Sequence, residues 1–322
     1  MNDQMFSKSI TTLNIETSSA RLLSVSGRRV KKWGEVPLPA GSVRDALILD
    51  PVGVGSAIDD LFKSTGMSRS GVLVSLTGFG SVFRIATLPR LNAKIISEAI
   101  QWAARREMPV PLPKLHLSWQ VIDTQDTEQR IFLLGTPRSL LDPFYQALRQ
   151  AGIKPRAIEL KPLALARMVN RAEAIIINLE DESTSTTVLL NGIPEVMHTI
   201  MVKTEDLLLE DRIQKLTEEL TRTVSFYNSA HPEHSLSPAT PAFLTGEMAS
   251  QPTVAALVQK SIKYPVESLT SGIQFPPDLP VPRYAVNIGL ALREIPPGRG
   301  DKATPVNSCP LKINVLPTEY HH

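Results

Sequence analysis

The sequence predicts an α/β protein of two lobes, and three observations lead there. A strand–turn–strand pattern occurs twice at long spacing, amphipathic helical stretches lie between and after the two copies, and 322 residues suffice for two cores. In the first copy, residues 10–15 read as a strand, 16–19 as a turn and 20–26 as a second strand. Gly27 opens another turn before 30–36. In the second copy, 174–179, a turn over 181–185, and 186–190 follow the same order. Asn191-Gly192, a strong hairpin signal, then leads into 194–201. The copies share wording: Leu13-Asn14-Ile15-Glu16 against Ile177-Asn178-Leu179-Glu180. Their separation indicates a duplicated lobe and not a short solenoid repeat.

Between the copies, 72–76 and 82–85 read as strands joined at Gly78-Phe79-Gly80. A lone Gly-x-Gly is weak evidence for phosphate binding, and a plain tight turn is the simpler reading. Over 93–107, Ile96, Ala99, Ile100 and Ala103 share one helical face. Residues 115–122 and 130–136 read as strands, and 140–152 as a helix stopped by Gly152. The longest helix is expected over 205–228, with the ladder Leu209, Ile213, Leu216, Leu220 and Val224 facing the core. The charges opposite them read as a solvated face. A final helix is expected over 284–295 after Pro276-Pro277, Pro280 and Pro282. Residues 296–310, rich in Pro and Gly, read as a flexible linker.

Composition narrows the function. A hydrophobic fraction of 42% and a charged fraction of 20% are ordinary for a globular protein. A net charge of +2 offers no electrostatic footprint for nucleic acid. The single cysteine, Cys309, rules out an internal disulfide and fits a reducing compartment. It sits in the expected linker without a neighbouring His or Asp, which argues against a catalytic thiol. No apolar run reaches the length of a membrane span, and residues 1–8 lack the apolar core of a signal peptide, so a cytoplasmic protein is expected. His231 and His234 flank Pro232-Glu233 without further metal ligands nearby and read as a solvated loop. Trp33, Trp102 and Trp119 are too scattered for a stacking platform and are expected in core or interface. No Gly-x-Ser-x-Gly, Walker motif or paired-carboxylate arrangement is present.

Several stretches, in order, resemble the PilM family of type IV pilus assembly proteins, whose relatives include the cell-division protein FtsA. They are Val36-Pro37-Leu38-Pro39 with Gly41, Leu88-Pro89-Arg90-Leu91 followed by Ala99-Ile100-Gln101-Trp102, and Ala151-Gly152 ahead of Pro155. Ser225-Phe226-Tyr227 and the run from Tyr284 to Arg293 complete them. The resemblance spans about residues 10–295. It implies an actin-like (FtsA-like) two-lobed α/β fold with a subdomain inserted into the first lobe. On that basis the first lobe is expected over 8–170, with the insertion at about 88–160. The second lobe is then 171–295, the linker 296–310 and a peptide segment 311–320.

In such folds a nucleotide sits between the lobes against the hairpin turns, and a working loop resembles Asp-Ile-Gly-Ser-Ser. Here the first loop reads Asn14-Ile15-Glu16-Thr17-Ser18 and the second Asn178-Leu179-Glu180-Asp181. The adenosine-side motif, which resembles Leu-Ser-Gly-Gly in the family, is Leu244-Thr245-Gly246-Glu247. Each Glu replaces a glycine that would let backbone N–H groups approach phosphate, and each adds a negative charge. Two unit charges about 5 Å apart at an effective dielectric near 20 repel by roughly 3 kcal/mol. Three glutamates around one cleft, with both metal-positioning aspartates gone, predict a pseudo-ATPase with no nucleotide, no metal and no catalytic residue. Two alternatives stay open on the loops. Another register would make the glutamates ordinary turn residues, and glutamates that bind a cation or one another's backbone would lock the cleft.

Beyond the linker, Leu311 and Lys312 precede Ile313-Asn314-Val315-Leu316-Pro317, then Thr318, Glu319 and Tyr320. This resembles the cytoplasmic N-terminus of PilN, the membrane partner of PilM, which reads I-N-L-L-P and then an acidic residue. In that family the peptide docks in a groove on PilM. Alternation of Leu311, Ile313 and Val315 suits an extended peptide burying one row of side chains, with Asn314 bonding backbone. A solvated tail is the competing reading. A linker of about 14 residues spans roughly 20 Å and supplies millimolar effective concentration, for docking in cis or in trans. A PilM–PilN fusion would continue into a membrane helix after Tyr320, making the chain anchored where it is otherwise peripheral, with His321 and His322 a tag remnant. The resemblance thus implies a scaffold at the inner face of the cell membrane, with a PilN-type peptide and other inner-membrane pilus proteins as partners. The alternatives are an active actin-like ATPase (ATP with Mg) in pilus assembly and the cytoplasmic part of a type II secretion L-type protein.

Overall fold

The computed structural model describes residues 9–92, 94–202, 208–296 and 309–320. The chain opens with a meander of β1 (Ile10–Ile15), β2 (Ser19–Ser26) and β3 (Arg29–Pro37), turned between β2 and β3 by Gly27 at φ +59. A short hairpin, β4 (Val43–Arg44) with β5 (Leu47–Ile48), leads into α1 (Pro51–Thr65). Asp50 caps α1 by accepting from the Gly53 amide at 2.9 Å, and Pro51 sits in the first turn, where its missing N–H costs nothing. The sequence reading left α1 unassigned, although Val54, Ile58, Leu61 and Phe62 form a helical stripe that is buried.

β6 (Ser70–Leu76) then pairs parallel to β1. Next come β7 (Val82–Pro89), α2 (Ile96–Glu107), β8 (Leu115–Thr124) and β9 (Glu128–Pro137), forming a separate antiparallel sheet ordered β7-β9-β8. Ile100, Ala103 and Ala104 of α2 pack on Ile131 and Leu133 of β9. α3 (Arg138–Gln150) returns against α1, and β10 (Lys154–Leu160) pairs parallel with β6. The expected insertion at about 88–160 is thereby shifted: the separate sheet begins at Val82 and ends at Pro137, and β10 belongs to the first-lobe sheet. Ala157, Ile158 and Leu160 are buried in β10, which pairs with β6 on one side and meets the tail at Ile158 on the other.

α4 (Lys161–Val169) is buried along its whole length. The second lobe repeats the first: β11 (Ala174–Leu179), β12 (Ser183–Leu190), β13 (Ile193–Met201), α5 (Leu209–Ala230), β14 (Ala242–Thr245), α6 (Pro252–Ser261) and β15 (Val266–Glu267). Its sheet order, β15-β14-β11-β12-β13, matches β10-β6-β1-β2-β3 strand for strand, with the same parallel and antiparallel pairings. α7 (Ala285–Leu292) lies on α4 so closely that a Cβ on Gly289 would fall 1.9 Å from the Ala164 carbonyl oxygen. The helix expected over 205–228 starts at Leu209, with residues 203–207 outside the described residues. Residues 297–308 of the expected linker also lie outside them, while Cys309 is buried against the first-lobe core instead of standing in a loose linker. Among the described residues no helix is long and apolar enough to cross a membrane.

Candidate functional site: the interlobe cleft and the tail groove

The β1–β2 and β11–β12 turns face each other across the lobes, as the duplicated hairpins require. Asn14 is buried at the end of β1, where its Oδ1 accepts from Ser75 at 2.6 Å and its Nδ2 donates to Glu16 at 2.9 Å. Asn178 occupies the equivalent place in β11, accepting from Thr245 at 2.9 Å. Glu16 pairs with Lys161 at 2.7 Å. Glu180 and Glu247 converge on Arg21 of β2, at 3.1 and 2.7 Å. The Arg21 Nε bonds Glu35 at 3.1 Å, and Arg283 spans Glu35 and Glu247, each at 2.8 Å.

Arg21 is therefore wholly buried, with donors directed to three carboxylates and to the Arg283 carbonyl oxygen at 3.3 Å. Four carboxylates, Glu16, Glu35, Glu180 and Glu247, meet three cations, Arg21, Lys161 and Arg283. The excess negative charge shows in protonation. Burial, reinforced by Glu16 and opposed by Arg21, pushes Glu180 up to about 7. Burial also raises Glu247, with Asp181 adding to it. At Glu35 burial works upward too, but Arg21, Ser19 and Arg283 together outweigh it and hold the carboxyl below its usual range.

The sequence reading places three glutamates against a ligand; the structure turns them into ion pairs. Arg21, Glu35, Lys161 and Arg283 were missed. The signal for Arg21 is an arginine inside an otherwise apolar strand, Ala20-Arg21-Leu22-Leu23, where burial obliges partners. The amides that would meet phosphate are engaged within the chain: Glu16 N to Ser19 O at 2.8 Å, Glu180 N to Ser183 O at 3.0 Å, and Gly246 N to Pro282 O at 2.8 Å. Gly246 has φ +96, and a Cβ there would lie 2.4 Å from the Leu179 carbonyl oxygen. A small pocket of about 30 Å³ lies beside the first turn, lined by Glu16, Thr17 and Lys161 with Val43, Ile48 and Phe144 from the first lobe and Ser183 and Met201 from the second.

The second constellation is formed by the tail. Leu311 and Val315 are fully buried and Ile313 is 3% exposed, while Lys312 between them is exposed. Leu316 and Pro317 are buried too, so the alternation ends at Val315. The segment runs between the outer strands of two sheets. On the β10 side, Val315 N donates to Ile158 O at 2.8 Å, and Ile158 N donates to Asn314 Oδ1 at 2.9 Å. The Asn314 side chain thus supplies the acceptor for a second rung, and it also accepts from Leu316 N at 3.0 Å. On the β8 side, Gln120 donates to Pro310 O at 2.9 Å and accepts from Lys312 N at 2.7 Å, and Ser118 donates to Asn314 O at 3.1 Å. On α3, Tyr145 stacks on Tyr320 at 4.1 Å and donates to its carbonyl oxygen at 2.6 Å, while Tyr320 donates to Asp142. Arg138 pairs with Glu319 at 3.0 Å. Burial pushes the Cys309 thiol up to about 11, which keeps it protonated.

Trp33 packs partly buried on the first-lobe core, whereas Trp102 on α2 and Trp119 on β8 are 59% and 38% exposed. His231 is exposed and stacks on Tyr227.

No family model and no curated protein matches the sequence. Solved structures do. A chain of the PilM-PilN type IV pilus biogenesis complex is 21% identical with TM-score 0.74, over 89% of this chain and 99% of that one. The cytoplasmic domain of EpsL, an inner membrane component of the type II secretion system of Vibrio cholerae, is 12% identical with TM-score 0.51, over 97% and 100%. The ethanolamine utilization protein EutJ from Carboxydothermus hydrogenoformans is 12% identical with TM-score 0.51, over 88% and 89%. At these identities the likeness speaks for architecture: the chain has the actin-like, two-lobed α/β fold.

Proposed function

We propose that this chain is a non-catalytic scaffold of a type IV pilus assembly platform. It works at the cytoplasmic face of the membrane and holds a PilN-type peptide in its groove, here its own residues 311–320. The observation that carries the reading is the seating of that segment. Five apolar side chains, Leu311, Ile313, Val315, Leu316 and Pro317, are buried, and Asn314 satisfies backbone on β10 as a bound strand would. The likeness to a chain of a PilM-PilN complex supports the same partner chemistry.

The cleft favours the non-catalytic part. Its arginine is saturated by carboxylates and its turn amides are engaged within the chain, so these residues do not fit a magnesium-bound nucleotide. Thermal melting with Mg-ATP tests this. A micromolar binder at millimolar ligand would stabilise by about 4 kcal/mol and move the transition by several degrees; a shift under about 1 °C is expected. A shift of several degrees would overturn the pseudo-ATPase assignment and restore the ATPase alternative.

The docking part is tested by placing a protease site within 297–308 of the full chain. After cleavage, the tail should stay bound through gel filtration and be displaced by excess synthetic peptide of sequence 309–320. The same peptide carrying Asn314→Ala should displace it poorly. Immediate loss of the cut tail would sink the reading. A second assignment, the cytoplasmic part of a secretion L-type protein, is favoured by the likeness to EpsL over 97% of this chain.

A further inference from the structure

We propose that Glu159 is the positioning residue of the groove: a buried carboxylate that aims two arginines at the main chain of the docked segment. The groove therefore fixes a peptide's phase through its carbonyls, independently of side chains, over residues 311–313. This rests on reading the groove as a peptide site. Glu159 is 1% exposed at the end of β10, and its two oxygens are divided. One accepts from Arg167 of α4, and the other accepts from Arg293, just beyond α7, at 2.9 Å. Arg167 is fixed further by donating to Gly289 O at 2.7 Å.

Each guanidinium keeps donors for the tail. Arg167 donates to Leu311 O at 2.9 Å, while Arg293 donates to Lys312 O at 2.7 Å and to Ile313 O at 3.4 Å. Three successive carbonyls are thus met by two cations that share one anion. A guanidinium is a planar fork with donors in fixed directions. Arg167 Nη2 is shared between Glu159 and Leu311 O, and Arg293 Nη1 between Glu159 and Ile313 O while its Nη2 meets Lys312 O, so the carboxylate fixes the plane from which the carbonyls are met. Without Glu159 the two arginines would repel each other, and their forks would lose their reference. With it, the cluster keeps one net positive charge in place of two, and that charge faces the peptide's carbonyls. None of these contacts involves a side chain of the peptide. The groove accordingly takes an extended segment with any side chain at 312, where Lys312 points outward, and reserves selection for the buried positions around it.

Hydrogen exchange on the full chain tests this. In the parent protein, the Lys312 and Val315 amides should be protected. In Glu159→Gln, which keeps the shape and loses the charge, protection at Lys312 should fall about ten-fold or more, while the β6 amides of Val72–Leu76 stay as they were. Arg293→Lys, which retains a cation for Glu159 but lacks the fork, should produce the same selective loss, and Lys312→Ala should produce none. The Arg293 variant decides the matter if Glu159→Gln loosens the whole chain. Unchanged Lys312 protection in Arg293→Lys, with the tail protected in the parent, would overturn the role of the arginine pair and leave the groove reading standing. A tail that exchanges freely in the parent would overturn the groove reading itself.

Discussion

In the cleft, Arg21 gives its donors to Glu35, Glu180, Glu247 and the carbonyl of Arg283, all groups fixed in the same folded body. In the groove, Arg167 and Arg293 divide theirs between Glu159 and the carbonyls of a separate segment. Both regions rest on buried arginine–carboxylate pairs, and both lie near α7. The difference is saturation. An arginine whose donors all meet groups of its own folded body closes a space, whereas one that shares its donors between a carboxylate and a separate segment contacts that segment's main chain. On the proposed reading the cleft and the groove are one chemistry at two degrees of completion.

The comparison can be broken most forcefully at Arg21. Replacing Arg21 with Leu strands Glu180 and Glu247 without their shared cation. It should cost about 3–5 kcal/mol, the usual penalty for removing one partner of a buried pair. Urea unfolding measures it, and a loss below about 1 kcal/mol would mean that the cleft is not held by this arginine. On the groove side, Leu311→Ala empties a fully buried position and should weaken tail docking by about 2–5 kcal/mol. Exchange protection over 309–320 should then collapse, with the β11 amides unchanged. Equal losses in both places would erase the distinction between a closed and a readable site.

A smaller effect comes from Glu180. Its native pKa of about 7 lies above the ordinary 4.5, so between those values the folded chain keeps a proton that the unfolded chain releases. The associated stability is fully present below about pH 4.5 and is lost as pH rises through about 7. Relative to Glu180→Gln, the parent protein should lose on the order of 2 kcal/mol between pH 5 and 7.5. Parallel urea curves for the two proteins would sink this assignment.

How much of this could be read beforehand follows from distance along the chain. The β1–β3 and β11–β13 meanders are local, with neighbours joined by short turns and an Asn-Gly signal, and their positions were legible. The tail's alternation was local as well. The partners of Arg21 were not, because Glu180 and Glu247 lie 159 and 226 residues away and only the closed fold brings them together. Gln120 and Glu159 escaped for the same reason: Gln120 is an unremarked polar residue until Lys312, 192 residues distant, lies beside it, and Glu159 until Arg293, 134 residues distant, pairs with it. β10 has no period of its own and becomes a strand by pairing with β6.

β8 ends one sheet and β10 ends another, and the tail runs between these two borders. An outer strand with open main-chain groups beside an apolar trough is a template onto which a foreign chain can add. The docked segment therefore also acts as a shield. Losing it would leave the β10 border open to pairing with another extended segment, a second copy of this chain included.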